Sequence, residues 1–539
     1  MIKYEKKESL IERQKKSEEA FLADFRKGEY VYDKPLVVLN PYLISPLTAM
    51  ILFRTSTKQE VTLTVKGKSK EGDIVHRFPA ETDHILPVYG LYGGYENTVE
   101  LSLSGGEKSE VTIKTDPLPP EVPVPTFCKP NKGHMGDNVI FLTQTSKADA
   151  LACDYAGDVR WYLTINVCFD LKRLSNGHLL VGTDRLIRLP YYVSGTYEMG
   201  VHGKIYKEYR IPGGYHHDTF ELEDGNILML TQMPDADTVE DVLALVERDT
   251  GKILRLWNYK KLLPYQCTST YSDTGTAHDW FHNNAVWYDK ATDSITLSGR
   301  HEDAVINIDF VTGDLNWIIG DPQGWPEEYV KKYFFKPVGE PFEWSYEQHG
   351  AVVCPGGDVM MFDNGHYRSK IKENYMKAKG SYSRGVRYRI NTKDMTIRQI
   401  WQFGKERGAD FFSPYICNVE YYDEGRYMVH SGGIAYKNGE PLEGLGSTDG
   451  TGSDCRLNAT YEKGELVILI LEDEEGRQHK YYVNTSAPGN FGAMCVGTFL
   501  KNDPRNIDVF INKAGLKGKM KVKLLLENKV YDSKMEIVF

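Results

Sequence analysis

The chain has 539 residues and a formal net charge of −10, with 35 Tyr, 21 Phe, 8 Trp and 49 Gly. That length exceeds what one hydrophobic core serves, so two or three domains are expected, and the acidic balance argues against a nucleic-acid surface. Abundant aromatic residues beside abundant glycine suit many short strands joined by tight turns.

The first residues, MIKYEKKESLIERQKKSEEAF, are charged and lack an apolar h-region, so no secretory signal is expected. No apolar run approaches the ~20 residues that span a bilayer. A cytoplasmic location without membrane contact is the resulting expectation. Within residues 1–30, Leu10, Ile11, Ala20, Phe21, Leu22 and Phe25 recur among Lys and Glu, predicting an amphipathic helix packed on the following domain. From 31 to 115 the pattern turns to alternation, as in Val61-Thr-Leu-Thr-Val and Val99-Glu-Leu-Ser-Leu-Ser, which predicts a small β-sandwich. Residues 116–126 contain Asp116-Pro-Leu-Pro-Pro-Glu-Val-Pro-Val-Pro, with five prolines in ten residues. Such a segment is a stiff, extended linker.

Beyond it a repeat begins. His217, His282 and His349 each open a short apolar stretch, 65 and 67 residues apart, and Ser413/Pro414 fall in the same slot. Each opener leads into a strand-like run, a tight Asp/Gly turn and a second run. The second runs end on polar residues: Thr231, Ser298 to Arg300, Asp363/Asn364 and His430/Ser431. A companion mark is a turn followed by a strand that ends near Trp161, Trp257, Trp317 or Trp401. These tryptophans are expected to fill space between adjacent sheets. Groups at 166–212, 213–263, 278–322, 345–405 and 410–470 each fit four strands. Residues 138–165 fit three, with Tyr481-Tyr-Val supplying the fourth. The expectation is all-β: a six-bladed β-propeller over residues 127–500 that removes exposed sheet edges. Further strands fill 501–539.

In a propeller, strand starts and the near ends of second strands meet at the axis. That places His282, His349, Asn364, Arg368 and His430 together. Three imidazoles alone could bind zinc or copper, but an adjacent guanidinium repels a cation and few carboxylates occupy these slots. Arginine with histidine suits a tetrahedral oxyanion instead, and a further neutral imidazole could act as nucleophile. The eight cysteines form no C-x-x-C pair, and no P-loop, H-E-x-x-H or G-x-S-x-G occurs. A quinone-cofactor dehydrogenase propeller holding Ca²⁺, and a binding propeller without catalysis, remain alternatives at this point.

The stretches His278-Asp-Trp-Phe-His282-Asn-Asn, Gln348-His349-Gly-Ala, Phe362-Asp-Asn-Gly, Tyr382-Ser-Arg-Gly and Trp401-Gln-Phe-Gly-Lys-Glu-Arg-Gly-Ala-Asp-Phe-Phe-Ser-Pro resemble the bacterial arylsulfate sulfotransferases. The resemblance covers most of the chain. It implies transfer of a sulfuryl group from an aryl sulfate donor to a phenolic acceptor by a ping-pong route, through a sulfohistidine and without a sulfonucleotide. It implies no cofactor and no metal. It also implies a homodimer formed through the N-terminal domain, although many relatives are exported and this chain shows no export signal. Carried over by motif, His282, His349 and Arg368 would bind the sulfuryl oxygens, with Asn364 beside the substrate. His430 would be the nucleophile.

Overall fold

In the computed structural model, residues 8–135, 138–143, 150–165, 167, 169, 171–188, 191–234, 236–264, 279–437, 439–443, 466–472, 474–476, 478–484, 518–526 and 529–538 are described. An 18-residue helix spans Leu10–Lys27, started by a capping box in which Ser9 and Glu12 satisfy each other's backbone N–H groups. Its inner face is Leu10, Gln14, Phe21 and Phe25. The Gln14 amide nitrogen donates to the carbonyls of Tyr42 (2.9 Å) and Gly203 (2.8 Å), and its oxygen accepts from the Ile205 N–H. The helix therefore ties the N-terminal sheet to the repeat. No described helix is long and apolar enough to cross a membrane.

Residues 36–114 form one five-stranded antiparallel sheet built on two long strands, Ala49–Val65 and Ile74–Val88. Pairing between them breaks register between Arg54 and Val61, a bulge of the kind that bends a sheet. The half before the break pairs with Leu36–Leu39 and the half after it with Glu96–Leu103. Its apolar face shares one core with Leu151, Cys153, Val159 and Tyr162 of the first repeat sheet. Val122 of the proline-rich segment is buried in that core as well, so the segment is seated on the domain rather than held off it.

Arg160 locks this junction. Its side chain is 1% exposed. It donates to the Gly90 carbonyl (2.7 Å), the Gly72 carbonyl and Tyr92 hydroxyl (3.0 Å each) and Asp154 (2.8 Å), with its guanidinium over the Tyr92 ring. Arg160→Met strands a buried Asp154 carboxylate, a change that costs about 3 to 5 kcal/mol. The expected result is a lower unfolding temperature and faster proteolysis near residues 116–126. Unchanged values for both would show that Arg160 does not hold the domains together.

The repeat follows in chain order as antiparallel sheets over 140–162, 172–215, 219–258, 283–320, 349–403 and 418–430, with three, five, four, four, five and two strands. The fifth sheet counts Lys336–Pro337 as its fifth strand, paired parallel to Thr396–Phe403. Inner strands such as Ile227–Thr231 and Val359–Asp363 are buried along their whole length, because a sheet lies against each face. The tryptophans explain how the sheets are stacked. Trp161, Trp257, Trp317 and Trp401 each stand on the last strand of a sheet and pack into the core of the sheet that follows. Tight turns precede them. At Asp309 the carboxylate accepts from the N–H groups of Val311 and Thr312, and Gly313 takes φ +81, which glycine adopts without steric cost.

One expected pairing differs. Gln478–Asn484, which contains Tyr481, pairs with Leu466–Glu472, which in turn pairs with Lys519–Leu526 and, through it, Lys529–Val538. Tyr481 thus belongs to a C-terminal sheet spanning both sides of residue 500 and does not complete the 140–162 sheet. Leu466–Glu472 is near-continuously aliphatic and finds partners in the similarly apolar 519–526, a pairing that local pattern could not specify. The Gly444–Gly452 stretch lies outside the described residues.

Candidate functional site

The first strands of all six repeat sheets line a single cavity of about 910 Å³, represented by Phe141, Lys172, Phe220, Val286, Val352 and Val419. At one end stand the openers. His217 and His282 occupy equivalent slots and share the same unusual backbone, with φ +53 at each. A left-handed non-glycine residue is uncommon and costs on the order of 1–3 kcal/mol. Its recurrence at two repeat-related histidines shows that the fold turns both side chains the same way.

The three imidazoles converge. Ring centroids are 4.9 Å apart for His217 and His282 and 6.3 Å for His282 and His349, and all three line the cavity. Each is held from behind through Nδ1. His216 Nε2 donates to the Thr231 carbonyl at 3.1 Å, so its Nδ1 accepts from His217 Nδ1 at 3.0 Å. His282 Nδ1 lies 2.6 Å from Asp279 and 3.1 Å from Glu240. His349 Nδ1 lies 2.8 Å from Asn364 Oδ1 and 3.1 Å from the Glu347 carbonyl. The Asn364 amide nitrogen donates to the carbonyls of Ser413 and Ile416. That fixes Oδ1 as the acceptor facing His349. The neutral His349 must carry its proton on Nδ1 and its lone pair on Nε2.

Arg300 supplies the positive charge. It ends the second strand of the fourth sheet, lines the cavity and binds Glu347 through Nε at 2.8 Å and Nη2 at 2.7 Å. Burial opposes its charge, but Glu347 more than offsets this and raises its pKa. Despite burial, Glu347 is held well below the usual carboxylate range by Arg300 and His366. Burial, together with the Arg300 charge, lowers His349 to about 3. His217 and His282 are also lowered, first by burial. Behind them Glu240 is raised by burial and by Asp279, and accepts hydrogen bonds from the hydroxyls of Tyr191 and Tyr192. Phe169 and Tyr191 face His217 at 5.1 and 5.9 Å, an aromatic wall beside the imidazoles.

The positions named from sequence are distributed as follows. His282, His349 and His430 line the cavity, and Asn364 orients His349. His430 stands one strand further out than His349. It pairs with Asn418, which in turn lies against Gly350. Arg368 is not among the cavity-lining residues. Its guanidinium donates to Asp363 (3.1 Å) and the Tyr382 carbonyl (2.8 Å) and covers the Tyr382 ring at 3.5 Å. Asp363 is fully buried and also binds Arg384 at 2.8 Å, so burial of that carboxylate captures both guanidinia. Sequence reasoning missed Arg300, Asn284, Glu347 and His366, and left His217 out of the site. The signal was present for two of them, since His217 is the first opener and Arg300 a second-strand ending.

Among the described residues, two groups have ligand atoms close enough for a metal: His216, His217 and Glu240, and Asp279, His282 and His301. The Nδ1 atoms already make internal hydrogen bonds, including His301 Nδ1 to the Asp279 carbonyl at 2.6 Å. The imidazole-rich set is also unlike the oxygen cage of Ca²⁺. A neighbouring carboxyl shapes the site's pH response. Burial pushes Asp303 up to about 7 from its ordinary 3.8, while its oxygen accepts from the Glu347 N–H at 2.7 Å. Folded protein then keeps a proton that unfolded chain releases, so stability present below pH ~4 is lost as pH rises toward 7. Asp303→Asn should gain stability relative to wild type between pH 5 and 7 in denaturant titrations. A constant difference across that range would contradict the shift.

Comparison with known proteins gives the family. Residues 125–477 match the family model Arylsulfotransferase (ASST), and residues 36–117 match Arylsulfotransferase Ig-like domain. The chain is 25% identical to Arylsulfate sulfotransferase AssT of Lelliottia amnigena, over 85% of this chain and 94% of that protein. It is 24% identical to the protein of the same name from Escherichia coli O6:H1, over 82% and 91% respectively. An acidic, mostly β chain with a buried cluster of imidazoles around one guanidinium thus belongs to the arylsulfotransferase (ASST) family.

Proposed function

We propose that this chain moves a sulfuryl group from an aryl sulfate to a phenol in two half-reactions, with His349 as the covalent carrier. The observation that carries the choice of residue is the fixed tautomer of His349. A neutral amide behind Nδ1 leaves Nε2 with its lone pair at ordinary pH, as a nucleophile requires. His282 is backed instead by Asp279 and Glu240.

In the first half-reaction the Nε2 lone pair of His349 forms the N–S bond. The S–O(aryl) bond breaks, and its electron pair leaves with the phenol oxygen. In the second half-reaction an incoming phenol oxygen bonds to sulfur and the N–S pair returns to His349. Negative charge on the three non-transferring oxygens is met by Arg300. Positioning and fixed charge do most of the work, by analogy with phosphoryl transfer. Phe169 and Tyr191 offer rings for the aryl group to pack against. Six successive sheets whose first strands line one cavity support a six-bladed propeller as the scaffold.

p-Nitrophenyl sulfate with and without added phenol tests the transfer reading through nitrophenolate absorbance. Phenol is expected to accelerate steady-state release. A rate that is indifferent to phenol, or no turnover under either condition, overturns it.

A further inference from the structure

A cavity of about 150 Å³ is enough to hold benzene, and the one lined by the six repeat sheets is about 910 Å³. A single phenol ring beside the imidazoles therefore accounts for only a fraction of it. We propose that the remainder is a second subsite, which takes an apolar chain or ring carried para to the reacting oxygen. The preferred substrates are then elongated, apolar-tailed phenols and their sulfate esters. This inference rests on the sulfotransfer reading above.

The strands give the cavity a direction. In the fourth sheet the first strand, Asn283–Asp289, lines it from Asn284 to Trp287. At ~3.3 Å per residue that is about 10 Å of channel leading away from His282. Along this path the polar openers give way to carbon. Phe220 lies three residues past His217, Val352 three past His349, and Met428 two before His430 on an antiparallel strand; all three line the cavity. Phe220 meets Trp287 edge to face at 5.2 Å, joining two neighbouring first strands. Both rings are only half-buried, so each keeps surface that a ligand can cover. Tyr422, also on the cavity wall, is 60% exposed and marks where the channel meets solvent.

Charges beside this wall are matched within the chain: Lys172 lies 3.2 Å from Asp218, and Glu221 binds Arg248. Ligand pockets orient their occupant with a few polar groups and gain affinity from apolar lining elsewhere. Here Arg300 and His349 form the polar end, which takes the sulfuryl group, and Phe220 with Trp287 forms the apolar end. A para substituent extends away from sulfur, whereas an ortho substituent lies back against the imidazoles. Only the para isomer can use the length of the channel.

Acceptor selectivity with p-nitrophenyl sulfate as donor tests this. Para-alkyl chains hardly alter the acidity of a phenol, so their effect reads binding. For wild-type protein kcat/KM is expected to rise about 2- to 4-fold per methylene, and so at least about 10-fold from 4-methylphenol to 4-pentylphenol. The equally apolar 2-pentylphenol should show no such gain. Trp287→Ala should cut the ratio of 4-pentylphenol to 4-methylphenol by about 5-fold or more. That ratio, taken on one preparation, does not depend on how much of the variant is folded. Phe220→Ala provides the same ratio if the Trp287 variant cannot be purified. A flat para series, an equal gain from 2-pentylphenol, or a ratio that both variants leave intact would overturn this inference alone. A larger gain from a carboxylate-tipped chain of the same length would assign the subsite to Arg173, an exposed residue of the cavity wall, and overturn the apolar reading. If phenol itself accelerates no release, the sulfotransfer reading fails and this inference fails with it.

Discussion

His349→Asn is expected to abolish both the burst and the covalent label. Wild-type protein given donor without acceptor should release about one equivalent of phenol and stop, because a ping-pong enzyme completes its first half-reaction alone. The retained sulfuryl group should be acid-labile, as a nitrogen-bound one is, and should map to the peptide containing His349. Asparagine keeps a side chain of similar polarity in the slot but has no ring lone pair. His430 lines the same cavity from the second strand of the sixth sheet, and with His349 as carrier His430→Asn should keep both burst and label. A label on His430 would reverse the assignment of carrier. A label on tyrosine or serine would end the histidine mechanism altogether.

Arg300→Lys is expected to lower turnover by about 10²- to 10³-fold, the scale of losing one preorganised oxyanion donor. Lysine keeps the charge but cannot hold Glu347 with one edge of a planar fork and present another to the sulfuryl oxygens. The matched control is Arg368→Lys. Arg368 pairs with buried Asp363, so this change should lower thermal stability while the burst amplitude per folded molecule stays near one. If Arg368→Lys removed the chemistry and Arg300→Lys spared it, the two arginines would have to exchange roles.

Much of the architecture was legible because it is periodic. The amphipathic spacing of Leu10, Phe21 and Phe25, the alternation over residues 31–115 and the turn-then-Trp marks all act over short sequence distances. The structure forms a helix, a sheet and stacked repeat sheets at those places. Tyr481 shows where this fails: an apolar strand reads the same whichever neighbour it pairs with, and its partner here is Leu469. The site divides in the same way. His282 and His349 were legible because a repeat carries equivalent residues to equivalent positions. His217 fell in the same slot, and its left-handed backbone repeats that of His282.

What the sequence by itself determined is the family of positions: polar residues at strand starts and second-strand ends, aimed toward one axis. Only the tertiary structure decided which of them reach the cavity. Arg368 follows a second-strand end as plausibly as Arg300 forms one. Yet Asp363 is buried beside Arg368 and captures it, while Glu347 holds Arg300 at the cavity. Those choices depend on carboxylates from distant parts of the chain and on how deeply each is desolvated. Burial sets the strength of such pairs, and burial is a property of the assembled fold.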